Sequence, residues 1–427
     1  MSSGFDVLVV GAGPGGMAAA TVSAEAGARV CVLDDNAAPG GQIWRGLHPA
    51  PSSKAPHGAE FAGWTGRLRA SGCEVLQGWQ AVDSPSVGML RVERGGEARD
   101  LHFDKLILAA GARERFLPFP GWTLPGVFGA GGLQALVKGG LEARGKRVVL
   151  AGSGPLLLAV AANLTVTGAC VLEVCEQAPL GRIAAFGLTL MSQPGKLAEG
   201  AGYRWKTRGT PYRTGSWVVR AEGRGRVESV TLTDGRRQWS EACDWLACGF
   251  HLVPNLELPR LLGCRVAGGY VAVDGLQQSS VAGVACVGEL TGIGGLDKAL
   301  IEGRIAGLAA VGREVEAGRL EPKLRRQRRF AERMERAFAL RAELRTLAAA
   351  ETIVCRCEDV SYAALLECSS ARQARLHTRC GMGACQGRVC GAATEFLFGW
   401  EAGAGRPPVF PAAVSALAAE AEVAQPR

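Results

Sequence analysis

The stretch from Phe5 to Gln42 constrains this chain more than any other. Its apolar run Val7-Leu8-Val9-Val10 leads directly into Gly11-Ala12-Gly13-Pro14-Gly15-Gly16 and then into Met17-Ala18-Ala19-Ala20. That order predicts a strand, a tight turn and a helix. Gly11 permits the turn, Gly13 lets a pyrophosphate approach the backbone, and Gly16 allows the helix to pack closely on the strand. Ala12, Pro14 and Gly15 complete the loop, and the phosphates are held at the N-terminus of the helix that follows. A second strand, Arg29 to Leu33, ends at Asp34, where a carboxylate can accept ribose hydroxyls. A complete βαβ dinucleotide-binding unit is expected.

The following Gly40-Gly41-Gln42 resembles the turn after this unit in two-dinucleotide flavoproteins of the glutathione and thioredoxin reductase class. The resemblance implies FAD rather than NAD here, with Gly41 and Gln42 among its contacts. Ile43 to His57 reads as loop; Trp44 suits packing, and Arg45 suits either a surface position or contact with a flavin phosphate or substrate carboxylate. Lys105 to Ala112 reads as a buried strand ending on small residues. In the reductase class such a turn, here Ala110-Gly111, passes close to the dinucleotide.

Pro118, Pro120 and Pro125 mark an interdomain crossing. A second βαβ pattern follows: strand Arg147 to Leu150, turn Gly152-Ser153-Gly154-Pro155, helix Leu156 to Leu164, and a strand from Cys170 ending near Glu176. Leu157 stands where the first unit has Gly16, so NAD(P) binding and a structural remnant of duplication both remain open. The run ending Val287-Gly288-Glu289 resembles the second FAD motif of the class, with Glu289 in place of the usual aspartate that holds the ribityl chain. Gly292-Ile293-Gly294-Gly295 then opens a helix from about Leu296 to Val311, whose N-terminus suits the electron-rich edge of a reduced flavin.

With 427 residues and 48% hydrophobic composition, the chain can build two or three cores without disulfide staples. Met1-Ser2-Ser3-Gly4 lacks the basic region of a signal peptide, so a cytoplasmic location is expected, where clustered thiols bind metal more readily than they form bridges. The apolar stretch Val148 to Leu164 is short for a bilayer and broken by Gly152, Gly154 and Pro155, so no membrane span is expected. A net charge of +8 with only 6% aromatics and dispersed arginines does not make a nucleic-acid surface. Arg319 to Arg345 is helical by pattern, with ten Lys or Arg against four acids. It suits a solvated linker or a docking face for an acidic partner.

Five of the fourteen cysteines fall in Cys355-Arg356-Cys357 and in Cys380-Gly381-Met382-Gly383-Ala384-Cys385-Gln386-Gly387-Arg388-Val389-Cys390. Cys-x-Cys disfavours a strain-free disulfide, and structural zinc usually takes wider spacing, although zinc stays as the alternative. An iron-sulfur cluster fits better, because Arg356, Arg379 and Arg388 offset its negative charge and nearby glycines free amides for the sulfurs. The stretch resembles the helical 2Fe-2S domain of bacterioferritin-associated ferredoxin. Cys355, Cys357, Cys385 and Cys390 are the expected ligands; Cys380 leaves a choice, and the final pair is spaced Cys-x4-Cys where that family commonly has Cys-x2-Cys.

The expected fold class is therefore α/β, a two-dinucleotide-binding flavoprotein with a small helical Cys-rich domain. The expected domains are FAD-binding over 1–115 and 255–312, NAD(P)-binding-like over 116–254, a basic helical linker over 313–350, a 2Fe-2S domain over 351–400 and a Pro-containing tail over 401–427. Gly40-Gly41-Gln42-Ile43-Trp44-Arg45, Gly111-Ala112-Arg113-Glu114-Arg115 and Cys380-Gly381-Met382-Gly383 resemble the α (A) subunits of opine oxidases, hydrogen cyanide synthase and D-hydroxyproline dehydrogenases, relatives of the sarcosine oxidase α subunit. Membership implies an electron-transferring subunit beside a β subunit of the D-amino acid or glycine oxidase type. It also allows FMN at the subunit interface, a small ferredoxin-like γ subunit, and an amino or imino acid substrate. No catalytic base stands out in this chain. The competing enzyme reading is a self-contained NAD(P)H-dependent reductase of a carrier protein, and a third reading is a nucleotide-binding scaffold without turnover.

Overall fold

A computed structural model describes residues 4–47, 57–401, 403 and 405–419. The first three residues, the middle of the loop expected over 43–57 and the end of the tail lie outside the described residues. The chain divides into two compact units. The first comprises the described residues within Met1–Arg113, Val253–Ala331 and Ala404–Arg427, the second those within Glu114–Leu252 and Glu332–Gly403.

The first unit is built on a seven-stranded sheet. Its order runs Glu74–Gln77, Val30–Asp34, Phe5–Val10, Glu97–Leu108, Met89–Arg94 and Gln80–Asp83, with Val284–Cys286 also pairing with Glu97–Leu108. The central strands are parallel and buried on both faces, so their sequences are continuously apolar rather than alternating. Val7 and Val9 enter one core with Met17, Val32 and Ile107, while Leu8 enters the other with Leu33, Leu106 and Cys286. Each fully buried aliphatic side chain of this kind contributes about 1.5–3 kcal/mol. The long strand Glu97–Leu108 changes partners midway, pairing antiparallel with Met89–Arg94 in its first half and parallel with Phe5–Val10 in its second. The described end of the chain also belongs here: Val409 N–H donates to Val82 O at 2.9 Å and Ser415 Oγ to Gly96 O at 3.0 Å.

The second unit repeats the design with a five-stranded parallel sheet, ordered Tyr212–Thr214, Cys170–Glu176, Arg147–Ser153, Trp245–Phe250 and Val127–Gly129. Val148 and Leu150 face one core, Val149 and Ala151 the other. A three-stranded antiparallel sheet, Trp217–Glu222, Ser229–Thr233 and Gln238–Ala242, covers one side. The Cys-rich segment is a two-strand hairpin, Ile353–Cys355 with Val360–Ser361, followed by short helices.

The basic helix is shorter than its sequence pattern. It runs Glu321–Ala337, and a separate 3-10 turn covers Ala342–Thr346. Between them the carbonyls of Phe338 and Ala339 accept bonds from side chains, not from helix amides, which is what ends the helix. No described helix is long and apolar enough to cross a membrane.

Candidate functional site

In the first unit the glycine turn is held too tightly for any side chain at Gly16, where a Cβ would lie 1.8 Å from Gly11 O. The helix Pro14–Glu25 therefore starts directly against the end of the first strand, with no side-chain cap on its N-terminus, so its first free amides are left for a ligand. Behind it packs Leu296–Ala310, admitted by Gly303, where a Cβ would meet Gly15 O at 2.1 Å. Asp34 is buried and locks the two strands' ends together: one carboxylate oxygen accepts the Ala12 amide, and the other accepts the Asn36 amide at 2.7 Å and Asn36 Nδ2 at 2.8 Å. Arg45 reaches Asn36 Oδ1 at 3.0 Å. Gly41 lies against Gly13, Gln42 is exposed, and Trp44 is buried against Phe61.

The Ala110-Gly111 turn follows directly from the sheet, with Ala109 N–H donating to Val10 O at 2.8 Å. Asn255 latches it, giving Nδ2 to Ala110 O at 2.7 Å and its amide to Gly111 O at 3.0 Å. Arg113 in turn holds Asn255 Oδ1 at 2.7 Å and pairs with Glu257 at 2.9 Å. Neither Asn255 nor Glu257 carries a motif.

Gly288 takes φ +72°, and the Glu289 carboxylate turns into the loop before the helix, accepting Gly294 N–H and Gly295 N–H at 2.9 Å each. Burial pushes this carboxyl up, while Lys298 and the two amides pull it down. Beneath it lies an ion pair missed in the sequence. Lys298 Nζ donates at 2.8 Å to Gly288 O, Thr291 Oγ1 and Glu302 Oε2, and Glu302 also accepts Gly288 N–H at 2.9 Å. Both charges are buried, so each depends on the other. Their i,i+4 spacing was legible, but such pairs usually sit on surfaces.

The glycine turn of the second unit has the same outline but a different neighbour. Gly152 approaches Gly249 so closely that a Cβ would fall 1.9 Å from its carbonyl oxygen, and Leu157 is packed in the core. Glu176 is turned inward onto Gly154 N–H at 2.7 Å and Ala178 N–H at 2.8 Å. The stretch Phe338 to Arg341 lies across the turn. Phe338 O accepts Ser153 Oγ at 2.7 Å and Gln177 Nε2 at 3.3 Å and is 2.7 Å from His251 Nε2, while Arg341 N–H donates to Gln177 Oε1 at 3.1 Å. The Phe338 ring packs edge-on against Phe186, with centroids 5.5 Å apart.

Burial raises the Glu176 carboxyl from 4.5 to about 7, against the opposing pull of its amide partners. Between those pH values the folded chain holds a proton that the unfolded chain releases, so folding stability falls as pH rises through this window and levels above it. The loss is on the order of 3 kcal/mol. Urea unfolding between pH 4.5 and 7.5 should show this slope, and Glu176→Gln should flatten it; an unchanged slope would remove Glu176 as its source.

In the Cys-rich segment Cys355, Cys380 and Cys390 are buried, with their sulfurs within 4.8 Å of one another. Cys355, Cys357, Cys385 and Cys390, with Arg356 and Val389, line a cavity of about 330 Å³. Gly383 lets the second loop close over the first, since a Cβ there would lie 2.2 Å from Cys357 Cβ. Burial works to raise the Cys385 thiol, but the amides of Val389, Gly387 and Arg388 and the hydrogen bond to Cys357 outweigh it and hold the thiol below the usual range. Burial raises Cys355 despite the Gly381 amide. Trp122 Nε1 donates to Ile353 O at 2.6 Å and its ring carries the Arg356 guanidinium at 5.5 Å, fixing the hairpin. The four expected ligands thus share one cavity, and the fifth thiol, Cys380, stands beside two of them.

Residues 5–308 match the model of the pyridine nucleotide-disulphide oxidoreductase family. The chain belongs to that family. Within the pyridine nucleotide-disulphide oxidoreductases it is similar along most of its length to an opine oxidase subunit of Rhizobium meliloti strain 1021, with 35% identity over 91% of this chain and 90% of the relative. It is 32% identical to the HcnB subunit of hydrogen cyanide synthase from Pseudomonas aeruginosa over 90% of each chain. Among solved structures, L-proline dehydrogenase from P. horikoshii shares the fold at TM-score 0.71 and 19% identity, over 98% of this chain and 80% of that one. Thioredoxin reductase of T. acidophilum covers 73% of this chain and is itself covered over 99% of its length, at TM-score 0.57 and 20% identity. The fold is the α/β two-dinucleotide architecture expected from the sequence, and the chain is a flavin-dependent oxidoreductase related to subunits of larger oxidases.

Proposed function

We propose that this chain is the electron-transferring subunit of a hetero-oligomeric amino or imino acid dehydrogenase or oxidase of the opine, hydroxyproline or glycine type. The observation that carries this reading is the stretch Phe338 to Arg341 across the second glycine turn, whose Ser153 and Gln177 side chains are already bonded to it. A pyridine nucleotide entering there would have to displace those bonds. Electrons then come more readily from a partner subunit than from NAD(P)H, which disfavours the self-contained reductase. The relatives named as subunits of opine oxidase, hydrogen cyanide synthase and sarcosine oxidase support the same reading.

The first unit fits FAD by its cradle: the closed contact at Gly16, the helix N-terminus beginning at Pro14, where the amides of Gly15 and Gly16 have no helical acceptor, and Asp34 beside the turn. In this assignment Gly11, Ala12, Gly13, Pro14, Gly15 and Gly16 hold the pyrophosphate, and Asp34 holds the ribose. Gly41, Gln42, Ala110, Gly111 and Gly288 border the cofactor. Glu289, expected by resemblance to hold the ribityl chain, would border the cofactor beside the Gly294-Gly295 loop, whose two amides its carboxylate accepts. The thiol set fits a 2Fe-2S cluster held by Cys355, Cys357, Cys385 and Cys390, in a cavity that Arg356 and Val389 also line. When bound, flavin exchanges electrons in pairs and an iron-sulfur centre one at a time, so together they connect a two-electron substrate to a one-electron acceptor. Substrate oxidation belongs to a β subunit of the D-amino acid or glycine oxidase type; FMN at the interface and a small γ subunit complete the assembly.

Anaerobic visible spectra test the proposal. The chain purified with its oxidase-type partner should show flavin and iron-sulfur bands that bleach on addition of a matching imino or amino acid, and neither NADH nor NADPH should bleach the chain alone. Bleaching by NADH without a partner would establish the independent reductase, and a colourless zinc protein would defeat both readings.

A further inference from the structure

In the second unit the helices Leu180–Thr189 and Pro194–Lys206, joined by the 3-10 turn Leu190–Ser192, bury almost nothing. The first buries only Phe186, and the second buries no side chain. A 13-residue helix is marginal in water unless an apolar face packs against something. Apolar side chains are nevertheless present and outward: Leu180 is 65% exposed, Leu188 70%, Met191 73%, Leu197 44% and Trp205 70%. Scattered surface hydrophobes are normal, but five large ones concentrated on one short helix pair are more than scatter. Its charge is one-sided. Arg182, Lys196, Arg204, Lys206 and Arg208 are the cations of the stretch, and its single acid, Glu199, accepts the Tyr203 hydroxyl at 2.8 Å.

We infer that this helix pair is the docking face for the oxidase-type partner subunit, which meets it with an apolar patch rimmed by carboxylates. The inference rests on the reading of the chain as one subunit of a hetero-oligomer. Tryptophan, methionine and arginine are the residue types that interface centres concentrate, and Trp205 is the natural anchor. The cationic rim selects the partner's charge and speeds encounter. It also disfavours a second copy of this chain, which would bring the same five cations against themselves.

The full chain, co-expressed and purified with its oxidase-type partner, provides the test. Leu188→Glu combined with Trp205→Glu should weaken association ~100-fold or more while flavin content and circular dichroism stay unchanged. Lys206→Glu with Arg208→Glu should slow association, and residues 180–206 should become protected from hydrogen exchange in the complex. Val87→Glu, at an exposed hydrophobe of the first unit, is the control and should change nothing. Wild-type affinity in the Leu188/Trp205 variant would overturn the inference while leaving the subunit reading intact. So would variants that lose only self-association, or only binding to phosphatidylglycerol vesicles. Failure of the unaltered chain to form any complex with the partner would defeat the subunit reading itself.

Discussion

Gly16→Ala should yield a chain that purifies without its flavin. A single methyl at that position lies 1.8 Å from Gly11 O, a backbone atom that cannot rotate away, so either the strand end or the helix start must move. Overpacking of this sort costs about 1–3 kcal/mol in a well-packed core, and more where only backbone faces the new atom. The same displacement pulls the helix amides off the pyrophosphate position, so binding suffers beyond stability. We expect flavin per chain to fall at least tenfold and the melting temperature of the first unit to drop by several degrees, since each kcal/mol is worth about 2–4 °C in a folding unit of roughly 150–250 residues. Gly63→Ala is the matched control: it lies within the helix Gly58–Ala70, with nothing within 4 Å of its would-be Cβ. It should leave flavin content unchanged and stability equal or slightly raised. Full flavin occupancy in Gly16→Ala would show that the cofactor is not held at this turn.

Cys390→Ser should strip the thiol site of the second unit of its metal. Its sulfur lies within 4.8 Å of those of both Cys355 and Cys380, and it also lines the cavity shared with Cys357 and Cys385. Serine offers a poorer, harder ligand than thiolate, so iron and acid-labile sulfide per chain should fall about tenfold or more, with loss of the visible bands. Cys355→Ser, Cys357→Ser and Cys385→Ser should behave alike, whereas Cys380→Ser should retain the cluster with shifted bands. If Cys380→Ser loses iron and Cys357→Ser keeps it, the buried triad is the ligand set instead.

The first βαβ unit was legible because its information is local. A strand, a turn with glycines at fixed offsets and a helix occupy adjacent residues, and the structure assembles Gly11, Gly16 and Asp34 as that local order requires. What escaped the sequence depends on residues far apart in it. Asn255 supports a turn 145 positions earlier, and Phe338 closes a turn 185 positions before it. Phe338 acts through its backbone carbonyl, which almost any residue can present, and Asn255 acts through its side-chain amide, but a lone Asn in a loop gives no sign of the distant turn it will meet. Lys298 and Glu302 read as an ordinary surface pair, and only the packing of their helix against Pro14–Glu25 makes them internal. The basic helix was overextended because periodicity continues past Ala337 although the backbone bonds do not. The thiols were recognisable by spacing, but spacing could not reveal that Cys380 lies beside Cys355 and Cys390.

The pairing of Val284–Cys286 with the second half of Glu97–Leu108 sets an order of events during synthesis. Six strands of the first sheet have been synthesised once Leu108 is made, yet the strand that covers one edge of Leu106–Leu108 is translated on the order of ten seconds later. In that interval the whole parallel sheet of the second unit, Val127 to Phe250, is completed. The nascent chain therefore carries an unpaired apolar strand edge while its later-made half folds, the configuration most open to wrong pairing with another chain. Ribosome-bound fragments ending between residues 255 and 280 should be those that most need a chaperone.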